Sequence, residues 1–212
     1  MTLSLNEIEV TARKAARGAG YAWGLAEEAG KATRWLCAHG IDGCAALAGL
    51  LTRVDSADLS DRSPITDGPA WKAPGGTLCP LIAGAALSDR AYQVGGSELR
   101  LENVTLPILL APFAALLGQQ TGQTVTVAWP GTQLCTDGAR IGLTGALRDD
   151  PGTATVTVTA GGTIDAPNPA RGRADPDPAA WKTLNAFAHR TYAPATEESR
   201  LRGAGAGLSD ND

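Results

Sequence analysis

The first 54 residues constrain the fold more than any other stretch, because helix starts, helix stops and apolar spacing agree there. Ser4-Leu-Asn-Glu7 has the Ser-x-x-Glu form of a capping box, which satisfies orphan N–H groups at a helix start. Behind it Leu5, Ile8, Ala12, Ala15 and Ala16 recur at helical spacing, and Gly18 with Gly20 is a natural stop. A second helix is expected from about Trp23 to Ala38, burying Leu25, Ala26, Ala29, Ala32, Trp35 and Leu36 and ending at Gly40. Asp42 can cap a third, from Cys44 to about Arg53, that carries Leu47, Leu50 and Leu51. The many alanines permit close helix approach, so the sequence predicts a compact helical hairpin or bundle over 1–54.

Beyond it the pattern changes. From Asp55 to Cys79 the chain is rich in Asp, Pro and Gly and reads as a long irregular connection, with Trp71 expected to pack down. Pro80 to Leu87 is apolar and open between a buried strand and a short helix. Glu98 to Val104 alternates as a strand with Leu99 and Leu101 on one face. Pro107 to Leu117 fits a Pro-started helix or an apolar strand, with Pro112 counting against a regular helix. Gln123 to Trp129 and Thr153 to Thr159 read as strands, with Val125, Val127, Val156 and Val158 inward, and Arg140 to Leu147 is a weaker strand. A Pro/Asp/Arg linker then leads to a helix from about Pro178 to His189 that turns Trp181, Leu184 and Phe187 inward. The fold class is therefore α+β: N-terminal helices, an antiparallel or mixed sheet over 80–166, a C-terminal helix over 178–189 and a tail over 190–212. A length of 212 residues suits a single domain.

Charge narrows the function classes. A net charge of −4 leaves no basic excess to neutralise phosphates, so nucleic acid is not an expected partner. No apolar run reaches the roughly 18 residues of a membrane span. Met1 to Val10 carries Glu7 and Glu9 and no basic n-region, so a cytoplasmic protein is expected. The four cysteines, Cys37, Cys44, Cys79 and Cys135, are expected as separate buried thiols. Cys37-Ala-His39 with Cys44 does not match the paired spacing of a structural zinc site, and no metal is expected. Gly-x-Ser-x-Gly is absent, and so are a P-loop and a dinucleotide fingerprint, so no cofactor is expected and no motif fixes a reaction.

The tail carries more chemistry than a fraying end needs. It joins Tyr192, Glu197-Glu198 and three arginines, Arg190, Arg200 and Arg202, to the run Gly203-Ala-Gly205-Ala-Gly207. Alternate glycines let backbone approach a ligand and expose N–H groups to an anion, while arginine pairs with carboxylates bidentately. Arg17-Gly-Ala-Gly20 near the N-terminus repeats as Arg202-Gly-Ala-Gly205.

At both ends the chain resembles a bacterial family, domain of unknown function 3726. The likeness is carried by Ser4-Leu-Asn-Glu-Ile-Glu9, Ala12 to Gly20, Trp23 to Gly30 and Arg34-Trp-Leu36, and at the close by Arg190-Thr-Tyr192, Glu198-Ser-Arg200 and Gly203 to Asp212. The resemblance implies no activity and no catalytic residues. Gly20 to Gly43 is more faintly similar to the N-terminal helices of the malate/lactate dehydrogenase type 2 family. The Ser-His-Gly segment of that family is missing, since Gly40-Ile41-Asp42 follows His39, and the chain is short for its fold, so that family is set aside.

Two functions fit this reading. The first is a cofactor-independent enzyme or binding protein for a small anionic metabolite, with the tail lining the site. Arg190 and Arg200 would hold a carboxylate, the amides of Gly203, Gly205 and Gly207 an oxyanion, and Glu28, Tyr192 or Glu198 would handle protons. The alternative is an accessory or assembly protein whose tail docks into a neighbouring subunit, as in a homo-oligomer, or into a partner enzyme. The capping box generates a direct test. Ser4→Ala should cost roughly 0.5–2 kcal/mol in urea unfolding, and an unchanged midpoint would place the helix start elsewhere.

Overall fold

The computed structural model describes residues 1–68, 70–90, 98–147 and 152–192. It opens on a two-residue strand, β1 (Leu3–Ser4), and three helices: α1 (Leu5–Gly18), α2 (Trp23–Ala38) and α3 (Gly43–Val54). The caps lie where the sequence places them. Ser4 Oγ accepts from the Glu7 N–H at 3.2 Å, and Asp42 Oδ1 accepts from the Ala45 N–H at 2.9 Å. Gly20 and Gly40 follow the first two helices with φ of +102° and +78°, a region open to glycine at little cost.

The expected close approach of these helices rests on glycines as much as on alanines. A Cβ at Gly30 would stand 2.8 Å from the Glu9 carbonyl of α1, and one at Gly43 would stand 2.6 Å from the Thr33 carbonyl of α2. Ala12, Ala15, Ala16, Ala26 and Ala29 fill the seam and are fully buried. Such contacts bring backbones together and let many weak dispersion contacts accumulate. Leu25 and Trp35, expected inward, are only half-buried.

The connection after α3 is not loose. It includes a 3-10 turn at Ser60–Arg62 and a short strand, β2 (Ala70–Trp71), which pairs in parallel with β3 (Leu99–Thr105). Trp71 is buried, as expected. Leu78 continues the pairing: its N–H donates to the Asn103 carbonyl at 3.0 Å, and its carbonyl accepts from the Thr105 N–H at 3.1 Å. Between these bonds β3 bulges, with Asn103 at a φ of 51°. The ambiguous Pro80 segment is a helix, α4 (Pro80–Asp89), with Pro80 in its first turn where a missing N–H costs nothing.

Pro112 has the same role in α5 (Ala111–Thr121), which follows a 3-10 turn over Pro107–Leu110. The turn absorbs the first apolar residues, so Pro112 starts the helix and does not interrupt it. Then come β4 (Val125–Trp129), β5 (Thr132–Thr136), β6 (Ile141–Gly145), β7 (Thr153–Ala160), the short β8 (Arg173–Ala174) and α6 (Pro178–His189).

The main sheet has the order β2-β3-β7-β4-β5-β6; only the β2–β3 pair is parallel, so the sheet is mixed. Its buried positions obey the two-residue period of a strand: Leu101, Val125, Val127, Leu134, Val156 and Val158 are inside, while Thr126, Ala128, Thr157 and Thr159 are half-exposed. Val127 stands opposite both Leu134 and Val158. Helix α5 lies on β4 and β5, and α2 meets both α4 and α5.

The far end of the chain returns to the beginning. β8 pairs with β1, and Asp177 caps α6 by accepting from the Ala180 N–H at 2.8 Å. Leu184 and Phe187 of α6 are buried and Trp181 is half-buried. Helix α6 packs on α1 so closely that a Cβ at Gly18 would overlap the Phe187 carbonyl oxygen. Gly18→Ala should therefore destabilise by about 1–3 kcal/mol in urea unfolding through forced separation of α1 and α6. Gly24→Ala, also helical but with nothing within 4 Å of the new methyl, should be neutral or stabilising by up to about 1 kcal/mol. Equal effects of the two would refute this account of the α1–α6 contact.

Candidate functional site

The α1–α6 contact places chemistry at one end of the helical layer. Where α1 stops and α6 ends, they bound an open cavity of about 570 Å³ lined by Arg13, Lys14, Arg17, Trp23, Arg190 and Tyr192, with Gly18 and Gly20 in its floor. Four of these side chains are cationic and none is acidic. Arg13, Lys14 and Arg17 follow from the amphipathic pattern of α1: its apolar stripe is buried against α2 and α6, which leaves these long side chains on the open face. Arg190 and Tyr192 reach the cavity because α6 ends beside Gly18.

Each cation is held differently. Arg190 forms a bidentate pair with Asp55, at 2.6 and 3.0 Å, and its guanidinium lies 4.4 Å from the Phe187 ring centroid. Arg17 donates to the Tyr21 carbonyl at 3.0 Å and lies 5.3 Å from the Trp23 ring. Lys14 Nζ is 3.4 Å from the Tyr192 hydroxyl and 5.2 Å from the Tyr192 ring centroid. Arg13 has no ion-pair partner among the described residues. The carbonyl ends of α1 and α6 face the same space, and each offsets about half a positive charge. After these and Asp55 are counted, a surplus of about two positive charges remains for an anion to meet.

Trp23 and Tyr192 flank this charge and are exposed, at 60% and 55%. An aromatic face beside cations suits a ligand with both a flat or apolar part and an anionic part. In the turn between α1 and α2, Tyr21 is fully buried and its hydroxyl is 3.2 Å from Cys79 Sγ. Burial first, and the nearby Cys79, push the Tyr21 phenol far up, so it stays protonated and ties the α1–α2 turn to the start of α4.

The expected site residues divide into three groups. Arg190 and Tyr192 come together at the end of α1, on the same cavity as Gly18 and Trp23. Glu28 does not line this cavity; it lines a separate one of about 160 Å³ with Trp35 and Phe113 and pairs with Lys31 at 2.7 Å. Glu198, Arg200, Gly203, Gly205 and Gly207 lie outside the described residues. Sequence reasoning passed over Arg13, Lys14, Trp23 and Asp55. The first two, with Arg17, occupy positions i, i+1 and i+4 of an amphipathic helix, a readable signal of a basic helix face.

His39 does not join the cysteines. Its ring is buried beside Trp35, with Nδ1 2.8 Å from the Trp35 carbonyl and Nε2 3.2 Å from the Ala139 carbonyl. Asp42 instead lies beside Cys37 and Cys44, the three ligand atoms within 4.8 Å of one another. Both Asp42 oxygens already accept backbone N–H bonds, Oδ1 from Ala45 and Oδ2 from Asp177.

The Arg190–Asp55 pair has a pH signature. The hydrogen bonds from Arg190 hold the Asp55 carboxyl below the ordinary carboxylate range. A lowered folded-state pKa gives stability that is fully present above the unfolded value and is lost as pH falls through the folded value. Asp55→Asn should therefore be less stable than the parent at neutral pH. The difference should fade as pH drops below about 4, which urea melts across pH would show. A difference that grows in acid would contradict the pairing.

No curated protein matches the chain. Among solved structures, the malate dehydrogenase from Entamoeba histolytica is similar at 12% identity and a TM-score of 0.44, over 77% of this chain and 49% of that one. The chain thus spans about half the length of that structure. Residues 3–79, which run from β1 through the three N-terminal helices to the threshold of α4, match the model of the family described as Protein of unknown function (DUF3726).

Proposed function

We propose that the cavity between the ends of α1 and α6 binds a small anionic metabolite, a carboxylate or phosphate with an aromatic or apolar part. The observation that carries this reading is the gathering of four cations and two exposed aromatic rings, with no acidic side chain, around one open cavity. Arg13, Lys14 and Arg17 would hold the anion through charge-assisted hydrogen bonds, and Trp23 and Tyr192 would cover the flat part. Arg190, already fixed by Asp55, shapes the wall and adds long-range attraction. The Tyr192 hydroxyl, which accepts from Lys14 Nζ at 3.4 Å, would exchange a proton with a bound anion in a cofactor-independent reaction. Glu198, Arg200 and the amides of Gly203, Gly205 and Gly207 follow Tyr192 within the next 15 residues of sequence. In this reading they line the remaining side of the site.

The exposure of Trp23 and Tyr192 also favours a second reading, in which the rings dock against a partner or a second copy of the chain. One experiment separates the two. Tryptophan fluorescence is followed in the parent and in Trp23→Phe, whose difference isolates Trp23 among the five tryptophans, while inorganic phosphate, pyrophosphate and citrate are added and size-exclusion mass is measured in parallel. The metabolite reading expects a saturable change that weakens with salt, at constant mass. Arg13→Ala should raise the dissociation constant about tenfold or more, because a charge-assisted bond is worth about 1.5–3 kcal/mol. Since Arg13 has no ion-pair partner among the described residues, thermal unfolding of that variant should be unchanged. No binding by any of the three anions, or binding indifferent to Arg13, would refute the reading. A mass above the monomer that falls on Trp23→Ala would favour docking.

A further inference from the structure

We propose that Cys37 and Cys44 form a peroxide-oxidisable thiol pair that closes to a reversible disulfide across the α2–α3 corner. Cys37 occupies the last turn of α2 and Cys44 the first turn of α3, and their sulfur atoms lie within 4.8 Å of each other. A disulfide requires about 2.05 Å, and rotation of two short side chains about their Cα–Cβ bonds acts directly on that gap. Cys79 and Cys135 have different neighbours: each sulfur is 3.2 Å from a hydroxyl, of Tyr21 and Thr126 respectively.

The two sulfurs are not equivalent. The neighbouring Cys44 thiol first, and the N–H groups of Gly43 and Cys44 at the start of α3, hold the Cys37 thiol below its ordinary range. The neighbouring Cys37 first, and then burial, push the Cys44 thiol up. The α3 N-terminus beside it and its place on a cavity wall make Cys37 the nucleophile and Cys44 the resolving thiol. Access is also one-sided: Cys37 lines a cavity of about 230 Å³, between the α2–α3 corner and the strand β8, that Arg171 and Arg173 also line. The same corner holds the returning chain, since the Ala38 carbonyl accepts from the Arg171 N–H at 2.7 Å and the His39 carbonyl from Asn168 Nδ2 at 3.1 Å.

The chemistry balances with a hydroperoxide as oxidant. The Cys37 thiolate attacks the peroxide O–O bond and becomes a sulfenic acid, and the leaving oxygen takes a proton to give water or an alcohol. Cys44 sulfur then attacks the sulfenic sulfur, the S–S bond forms, and the hydroxyl leaves as water with the Cys44 proton. Two thiols lose two electrons and the peroxide gains them. Two equivalents of a small thiol reverse the reaction by exchange, the first forming a mixed disulfide and the second releasing it, so that both protein thiols are restored and the small thiols leave as their own disulfide. A metal is the other use for such a cluster, but the third donor, Asp42, already has both oxygens engaged in backbone hydrogen bonds.

The test uses the whole chain. Reduced protein is treated with hydrogen peroxide, alkylated in denaturant and cleaved with trypsin, which releases Cys37 and Cys44 together in the segment Trp35–Arg53. The expected result is loss of two hydrogens and of alkylation in that peptide, a free-thiol count falling from four to two, and restoration by dithiothreitol. In Cys44→Ser, dimedone should trap Cys37 as the sulfenic acid, and in Cys37→Ser the peptide should stay unoxidised. The unmodified protein's peptide map is decisive by itself if either variant fails to fold. Oxidation of Cys79 or Cys135 ahead of this pair, dimedone labelling of Cys44 in Cys37→Ser, or a stoichiometric metal protecting both thiols would overturn the proposal.

Discussion

The backbone contact between α1 and its two neighbours is the constraint on which the helical half depends. At Gly18 and Gly30 a methyl group would collide with, or press on, a carbonyl of the facing helix, so the distances are set by main chain and not by interlocking large side chains. An alanine seam gains little per residue from hydrophobic burial, and it stabilises only because it is dry and continuous. Ile8, Tyr21, Leu36, Leu47, Leu50 and Leu51, all fully buried, supply the bulk around it. The sheet has the opposite construction: its strands bury single valines and leucines on the helix side, and backbone ladders hold the rest.

The basic cavity is a by-product of that same contact. A helix that buries a narrow alanine stripe leaves a wide polar face, and here that face carries Arg13, Lys14 and Arg17. Cations at a helix C-terminus are favourable in themselves, because they offset the carbonyl end of the helix. The second C-terminus, from α6, adds Arg190 and again a partial negative charge. The charge in the cavity exceeds what the two helix ends can absorb, and that excess is what the proposed anion site rests on.

The helical half was legible because its signals are local. Ser4, Asp42, Gly20 and Gly40 act on their own neighbours, and each does in the structure what its residue type permits. Pro107 to Leu117 resisted reading because an apolar run has no period, so nothing marks where the 3-10 turn hands over to α5 and makes Pro112 a first-turn residue. β5 went unrecognised although Pro130-Gly131 between two short strands is a turn signal, with Gly131 at a φ of +81°. Of the site, the tail arginine Arg190 and Tyr192 could be singled out by composition. Their meeting with Arg13 and Lys14 depends on α6 returning across more than 150 residues of sequence, and no local pattern encodes such a pairing. The same holds for Cys37 and Cys44: spacing alone argued against a zinc site, while their side-by-side placement comes from the tight α2–α3 corner at Gly43.

That return of α6 has a consequence for how the molecule is made. During synthesis on the ribosome, α1, α2 and α3 emerge first, yet the groove beside Gly18 is filled only when residues near Phe187 have followed. Until then the alanine seam of α1 is covered on the α2 side and open on the other, a state in which neighbouring nascent chains could occupy it. Contacts of such long sequence separation also slow the last step of folding, since the loop must close before the contact rewards it. Packing of α1 therefore waits on α6, and the molecule acquires its cationic cavity only at the moment when these two helices meet.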